Sequence, residues 1–139
     1  MINHEHIETL GVDHVGLTVR HLDKTVSFFT DHLGWKIVGE VPAYPAIFVS
    51  NGYTRITLWQ AEDPENAVAF NRKTNIGLHH LAIGLPSFEE LDRLYEKLKV
   101  VPHVRIEFSP ELSGGGPQKH MMVREPSGLR IEFIHRPQV

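Results

Sequence analysis

The sequence contains no cysteine among its 139 residues. Disulfide bonds and thiolate metal sites are therefore excluded within this chain, and any bound metal has to use nitrogen or oxygen ligands. Excess basic charge is also lacking, because 14 Lys and Arg residues face 17 Asp and Glu residues, for a formal net charge of -3. We therefore expect no nucleic-acid partner.

Long hydrophobic runs are absent as well. No apolar stretch approaches the ~18 residues of a membrane span, and the first ten residues lack the apolar core of a signal peptide. We expect a cytoplasmic protein with no membrane partner. The length suits one domain of residues 1–139. Histidine is the residue type in excess, with ten copies, which permits metal chemistry without showing it.

Two short segments alternate between apolar residues and small or polar residues. Residues 14–19 read His-Val-Gly-Leu-Thr-Val, and residues 80–85 read His-Leu-Ala-Ile-Gly-Leu. This alternation predicts two strands, each with one apolar face and one face that carries a histidine. His14 and His80 therefore occupy equivalent positions.

Each of these strands is followed by a helix and then by three more strands. The first helix is predicted over 23–33, with Asp23 as its N-cap. The second begins after Ser87, with Glu90 completing a capping box. The later strands are predicted at 35–41, 46–50 and 54–60 in the first half, and at 103–109, 120–124 and 129–135 in the second half.

The order βαβββ therefore occurs twice, and a repeat of this kind is a strong indication of fold. It predicts an α+β protein of two βαβββ modules, at about 10–62 and 77–136, joined by a linker over about 63–76. The second half is longer than the first. A loop rich in glycine and proline over 109–118 is expected to hold the additional residues.

The repeat also places four side chains on equivalent faces. His14 corresponds to His80, and Thr57 corresponds to Glu132. Two imidazoles and one carboxylate, from His14, His80 and Glu132, form a set that binds a divalent Fe, Mn, Ni, Co or Zn ion and leaves coordination positions open. A bound cation would also compensate the Glu132 carboxylate inside a strand that is otherwise apolar.

Four motifs resemble the vicinal oxygen chelate superfamily, which includes glyoxalase I, bleomycin-resistance proteins, extradiol dioxygenases and methylmalonyl-CoA epimerase. They are Asp13-His-Val-Gly-Leu17, Asp31-His-Leu-Gly34, His79-His-Leu-Ala-Ile83 and Glu125-Pro-Ser-Gly-Leu-Arg-Ile-Glu-Phe133. The resemblance covers residues 10–136. It implies that the two modules form an open, incompletely closed barrel around one divalent metal. It also implies a homodimer, in which the ligands could come from both chains.

The ligand positions of that family fall on His14, Thr57, His80 and Glu132. Thr57 departs from the Glu or Gln usual in glyoxalase I and the epimerase. Threonine is a poor ligand, so three protein ligands are expected. The dioxygenases place a tyrosine where this chain has Met122, and the fosfomycin-resistance enzymes place a threonine where it has Gly16.

His120 is a further candidate, because it shares a strand face with Met122. The parity of the hairpin through 125–128 predicts that this face carries the metal, so His120 could act as a general base or orient a bound oxyanion. Thr57, Trp59 and Met122 are predicted to line the substrate pocket.

Three functions are compatible with these residues. The leading hypothesis is a metal-dependent, glyoxalase-like isomerase or lyase acting on a small substrate that chelates the metal through vicinal oxygens. The glyoxalase type implies Glu132 as the base, with His120 as the alternative. The second hypothesis is an extradiol-type ring-cleaving dioxygenase. The third is a non-catalytic protein that binds an antibiotic or another small molecule.

Overall fold

The computed structural model describes residues 6–138 and shows the doubled order of elements predicted from the sequence. The first module holds β1 (His14–Val19), α1 (Leu22–Ser27), a π-helical segment (Phe28–His32), β2 (Lys36–Val41), β3 (Ala46–Ser50) and β4 (Arg55–Gln60). The second module holds β5 (Leu81–Gly84), α2 (Phe88–Leu98), β6 (Arg105–Leu112), a 3-10 turn (Ser113–Gly115), β7 (Lys119–Arg124) and β8 (Arg130–His135). No helix within residues 6–138 is long and apolar enough to cross a bilayer.

The two modules form separate four-stranded sheets with the same topology. Their orders are β1-β4-β3-β2 and β5-β8-β7-β6. In each sheet the first strand pairs in parallel with the last, and the other pairs are antiparallel. Gly16 lies opposite Thr57, and Ala82 lies opposite Glu132. The predicted open architecture of two βαβββ modules is confirmed, and the equivalence of the two faces follows from this shared register.

One hydrophobic core contains residues from both modules. It is built from the apolar strand faces and from the buried stripes of the helices, and burial of this surface is the main stabilising term. Its most deeply buried large side chains include Phe28, Phe29, Leu58, Leu91, Ile131 and Phe133. Because the apolar faces of the two sheets are buried in this core, their opposite faces remain available for a site.

The start of the first helix differs from the prediction. Asp23 is not the N-cap; His21 occupies that position and makes no side-chain capping bond. The backbone N–H of Leu22 donates to Gln60 Oε1 at 3.0 Å, and that of His21 donates to Ser127 Oγ at 3.0 Å. Side chains distant in sequence therefore replace the local cap. The predicted cap of α2 is confirmed, since the N–H of Glu90 donates to the side chain of its N-cap serine.

The predicted loop over 109–118 is wrong in its first part. β6 continues to Leu112, and Glu111 and Leu112 pair with His120 and Lys119. Two irregularities interrupt the register, the second between Phe108 and Glu111. Such bulges tolerate the intervening Pro110, which cannot donate a ladder hydrogen bond.

A buried carboxylate joins α1 to the turn before β8. Glu125 is 1% exposed, and its Oε2 accepts a hydrogen bond from Thr25 Oγ1 at 2.6 Å. Its Oε1 accepts from the N–H groups of Ser127 and Leu129 at 2.8 and 3.1 Å. Burial raises the pKa of Glu125, although these hydrogen bonds oppose that effect. The hydrogen bonds of Glu125 fix where β8 begins, and therefore where Glu132 lies.

Candidate metal centre

Glu132 lies at the centre of the second sheet, on the face that points away from the helices. Glu132 is 8% exposed. Its Oε1 lies 2.9 Å from His80 Nε2, and its Oε2 lies 2.5 Å from His120 Nδ1. A buried carboxylate is costly without a positive or donating partner. The imidazole of His120 supplies a donor to one carboxylate oxygen, and His120 lies on the strand face that carries Glu132.

Met122 and Phe108 form the apolar surroundings of this pair. Met122 lies directly opposite Glu132 in the β7–β8 ladder and is 5% exposed. The ring of Phe108 packs against the ring of His120, with centroids 4.8 Å apart. The Phe108 ring therefore covers one side of the His120 imidazole.

His14 lies on the first sheet and is separate from this cluster. Its imidazole is half exposed, and its Nδ1 lies 2.7 Å from Asp13 Oδ1. Within residues 6–138 of a single chain, no three His, Asp or Glu side chains converge in a way that could hold a metal ion. The ligand set of His14, His80 and Glu132 therefore stays a prediction.

The hydroxyl of Thr57 is engaged by protein groups. Its Oγ1 accepts a hydrogen bond from Trp59 Nε1 at 2.9 Å and donates to the carbonyl of Val15 at 3.5 Å. The expectation that threonine does not act as a metal ligand here stays a prediction. Trp59 also packs edge-on against Tyr44, with ring centroids 4.6 Å apart, and beside Phe48 at 5.7 Å. The matching face of the first sheet therefore carries an aromatic cluster.

The neighbours of His80 were not among the predicted site residues. The Nδ1 of His80 lies 2.8 Å from the Nδ1 of His79. The Nδ1 of His79 also lies 3.2 Å from Arg130 Nη1. Loss of hydration and the Arg130 charge lower the pKa of His79. The sequence held one indication of this group, since Arg130 precedes Glu132 by two residues and shares its strand face.

Glu107 binds both arginines at this end of the sheet. Its Oε2 accepts from Arg130 Nη2 at 2.7 Å, and its Oε1 accepts from Arg124 Nε at 3.3 Å. The hydrogen bond from Arg130 is the largest cause that lowers the pKa of Glu107 to about 2. This carboxylate is therefore ionised at neutral pH.

We expect Glu107→Gln to remove a pH-dependent part of the stability. A lowered carboxylate pKa stabilises the fold above the ordinary value of 4.5, and this contribution is lost as the pH falls toward about 2. At ~1.4 kcal/mol for each unit of pKa, the free energy of unfolding should fall by about 3 kcal/mol at neutral pH.

Urea titrations between neutral pH and pH ~2 measure this difference. The difference in the free energy of unfolding between wild type and variant should narrow as the solution becomes acidic. Glu62→Gln, at an exposed glutamate, is the matched control and should change little. A gap that stays constant with pH would contradict the assignment.

The donor atoms of His80 and Glu132 fit a divalent ion. Two ligands at ~2.1 Å from one ion and at right angles to each other lie about 3 Å apart. The observed separation of His80 Nε2 and Glu132 Oε1 is 2.9 Å. Imidazole nitrogen and carboxylate oxygen are also the ligand types that Fe, Mn, Ni, Co and Zn accept.

Comparison with known proteins agrees with this fold. Residues 11–133 match the model of the Glyoxalase/Bleomycin resistance protein/Dioxygenase superfamily. The chain is 26% identical to a 2-epi-5-epi-valiolone epimerase of an Actinomyces species, over 92% of this chain and 80% of that protein. It is 32% identical to the catechol-2,3-dioxygenase of Bacillus subtilis (strain 168) over 63% of its length, but spans only 31% of that enzyme.

A solved structure shows the same architecture. The glyoxalase/bleomycin resistance protein/dioxygenase domain from Frankia sp. EAN1pec superposes with a TM-score of 0.77. The alignment covers 94% of this chain and 95% of that domain at 24% sequence identity. With the family match spanning both modules, the chain belongs to the Glyoxalase/Bleomycin resistance protein/Dioxygenase superfamily.

Proposed function

We propose that this protein is a divalent-metal-dependent isomerase or lyase of the glyoxalase type. It moves a proton between neighbouring carbons of a small substrate that carries vicinal oxygens. The observation that carries the proposal is the Glu132 carboxylate held between the imidazoles of His80 and His120. The likeness to an epimerase over most of both chains supports this class.

His14, His80 and Glu132 would hold the ion, which is one of Fe, Mn, Ni, Co or Zn. When bound, the ion supplies Lewis-acid stabilisation of the negative charge that develops on the substrate oxygens. The remaining chemistry is assigned to side chains of the protein.

His120 is the proton acceptor that the contacts favour. When His120 is neutral and its Nδ1–H donates to Glu132 Oε2, its Nε2 is unprotonated and free to accept a proton. Glu132, the alternative base, faces an imidazole at each of its two oxygens. The packing of Phe108 limits rotation of the His120 ring and keeps the accepting atom in one direction.

Substrate contacts are assigned to Met122 beside Glu132, and to Trp59 and Thr57 on the first sheet. The aromatic cluster of Trp59, Tyr44 and Phe48 offers apolar surface to the part of the substrate that does not react. This placement requires that the two faces meet across one cavity.

A homodimer would bring those faces together. His14 makes its contact with Asp13 rather than with Glu132 in its own chain, so a second copy would supply the third ligand. Large apolar side chains along β2 are exposed and offer surface for such an interface, namely Ile37, Val38, Val41 and the adjacent Tyr44.

The test combines metal analysis with turnover assays on protein purified without added metal. Elemental analysis should find one divalent transition metal in each site. The loaded protein should convert a hemithioacetal or epimerise an α-hydroxy ketone, and metal removal should abolish this turnover. Loaded protein that turns over no such substrate would overturn the proposal.

Extradiol ring cleavage is the second candidate, favoured by the likeness to a catechol dioxygenase. A set of two histidines and one glutamate is the ligand pattern of such iron enzymes. Iron content together with catechol cleavage would establish this reaction in place of the first. Metal-free protein that binds a small molecule without turnover would establish the non-catalytic role and exclude both enzymes.

A further inference from the structure

We propose that His79 and Arg130 are positioning residues that fix the tautomer of His80 and aim its Nε2 at the metal position. This inference rests on the proposed role of His80 as a ligand. It assigns a role to residues outside the predicted ligand set, and it follows from which atoms can donate and which can only accept.

Arg130 determines the state of His79. The guanidinium of Arg130 only donates hydrogen bonds. Its Nη1 lies 3.2 Å from His79 Nδ1 and also donates to the carbonyl oxygen of His79 at 3.0 Å. His79 Nδ1 is therefore an unprotonated acceptor, and the carbonyl contact keeps the two residues in this register.

His79 in turn determines the tautomer of His80. The two Nδ1 atoms lie 2.8 Å apart. Because His79 Nδ1 accepts, His80 Nδ1 has to carry the hydrogen. A neutral His80 then has its lone pair on Nε2, which lies 2.9 Å from Glu132 Oε1.

Two acceptor atoms that face each other at 2.9 Å repel unless a cation lies between them. The protein thus presents a nitrogen lone pair and a carboxylate oxygen toward a common point. This is the arrangement a divalent ion requires, with the opposite ring nitrogen of the ligand held by an outer partner.

Arg130 is itself held rigidly. Its side chain is 8% exposed, and Glu107 accepts from its Nη2 at 2.7 Å and from its Nε at 3.2 Å. Such a two-pronged pair fixes the plane of the guanidinium. Arg130 also lies on β8 with Glu132, so the positioning group and the carboxylate belong to one strand.

The test compares two substitutions at the exposed residue His79 in the full chain. His79→Phe keeps a flat ring and removes the acceptor, whereas His79→Asn retains an acceptor in its amide oxygen. Zn²⁺ affinity is measured by competition with a chromophoric chelator. We expect a 10–100-fold weaker Kd for His79→Phe and a change of only a few-fold for His79→Asn.

The tautomer is measured independently of metal, by ¹⁵N histidine NMR of the metal-free protein in alkaline buffer. The signals of His80 are identified by their absence in His80→Gln. Wild type and His79→Asn should show His80 with its hydrogen on Nδ1, and His79→Phe should shift it toward Nε2.

A wild-type tautomer with the hydrogen on Nε2 would overturn the proposal. An unchanged tautomer in His79→Phe would also overturn it. Wild-type protein that binds none of Zn²⁺, Ni²⁺, Co²⁺, Mn²⁺ and Fe²⁺ but shows the expected tautomers would refute the metal-dependent function and leave the tautomer assignment of His80 intact. The two failures are therefore distinguishable.

Discussion

Protein in which both His80 and Glu132 are replaced by alanine is expected to lose its divalent metal and keep its fold. The substitution removes the donor pair 2.9 Å apart and leaves His14 as the one predicted ligand. The affinity should fall by more than the ~100-fold that loss of an outer partner causes. The fold should survive because the buried carboxylate is removed together with its partner, so that no unpaired buried charge is left behind.

Elemental analysis and a chelator competition measure this loss, and a thermal melt checks the fold. The matched control is His103→Asn. His103 is exposed and has a φ of +68°, which asparagine tolerates better than most residues. The control should bind metal as wild type does. Unchanged metal content in the double variant would show that the ligand assignment is wrong.

His120→Asn is expected to lower kcat by about 10²–10⁴-fold while the metal stays bound. Loss of a positioned general base has effects of this size. Asparagine can still donate to Glu132 Oε2, so the carboxylate keeps a partner, but no imidazole Nε2 remains to accept the proton. KM should change much less than kcat, because the proposed interaction forms in the transition state.

Steady-state kinetics on fully metal-loaded protein measure this effect, and His103→Asn again serves as the control. If His120→Asn retains kcat within a few-fold, Glu132 is the base instead. A parallel loss of metal would place His120 among the ligands.

Several features of this protein follow from local sequence alone. The alternation in residues 14–19 and 80–85 predicts two strands with opposed faces, and the structure has them at His14–Val19 and Leu81–Gly84. The parity of the hairpin predicts that His120 lies on the face of Glu132, and their side chains are in contact. The cap of α2 at Ser87 is likewise local, since donor and acceptor are three residues apart.

Other features depend on contacts between distant parts of the chain. The first helix begins at Leu22 because Gln60 and Ser127 satisfy its first amides, and no pattern near Asp23 reveals this. The group of His79, Arg130 and Glu107 also depends on distant contacts, because it joins residues from three parts of the second module. Side-chain hydrogen bonds of this kind are set by how elements pack.

The sequence by itself determined the repeat, the strand faces and the residue types that can bind a metal, because periodicity and turn chemistry act over a few residues. Only the tertiary structure decided which of these residues meet. It places His80 and His120 against Glu132 and leaves His14 with Asp13. A repeat makes two faces equivalent, whereas the packing of one shared core decides whether those faces meet within a chain.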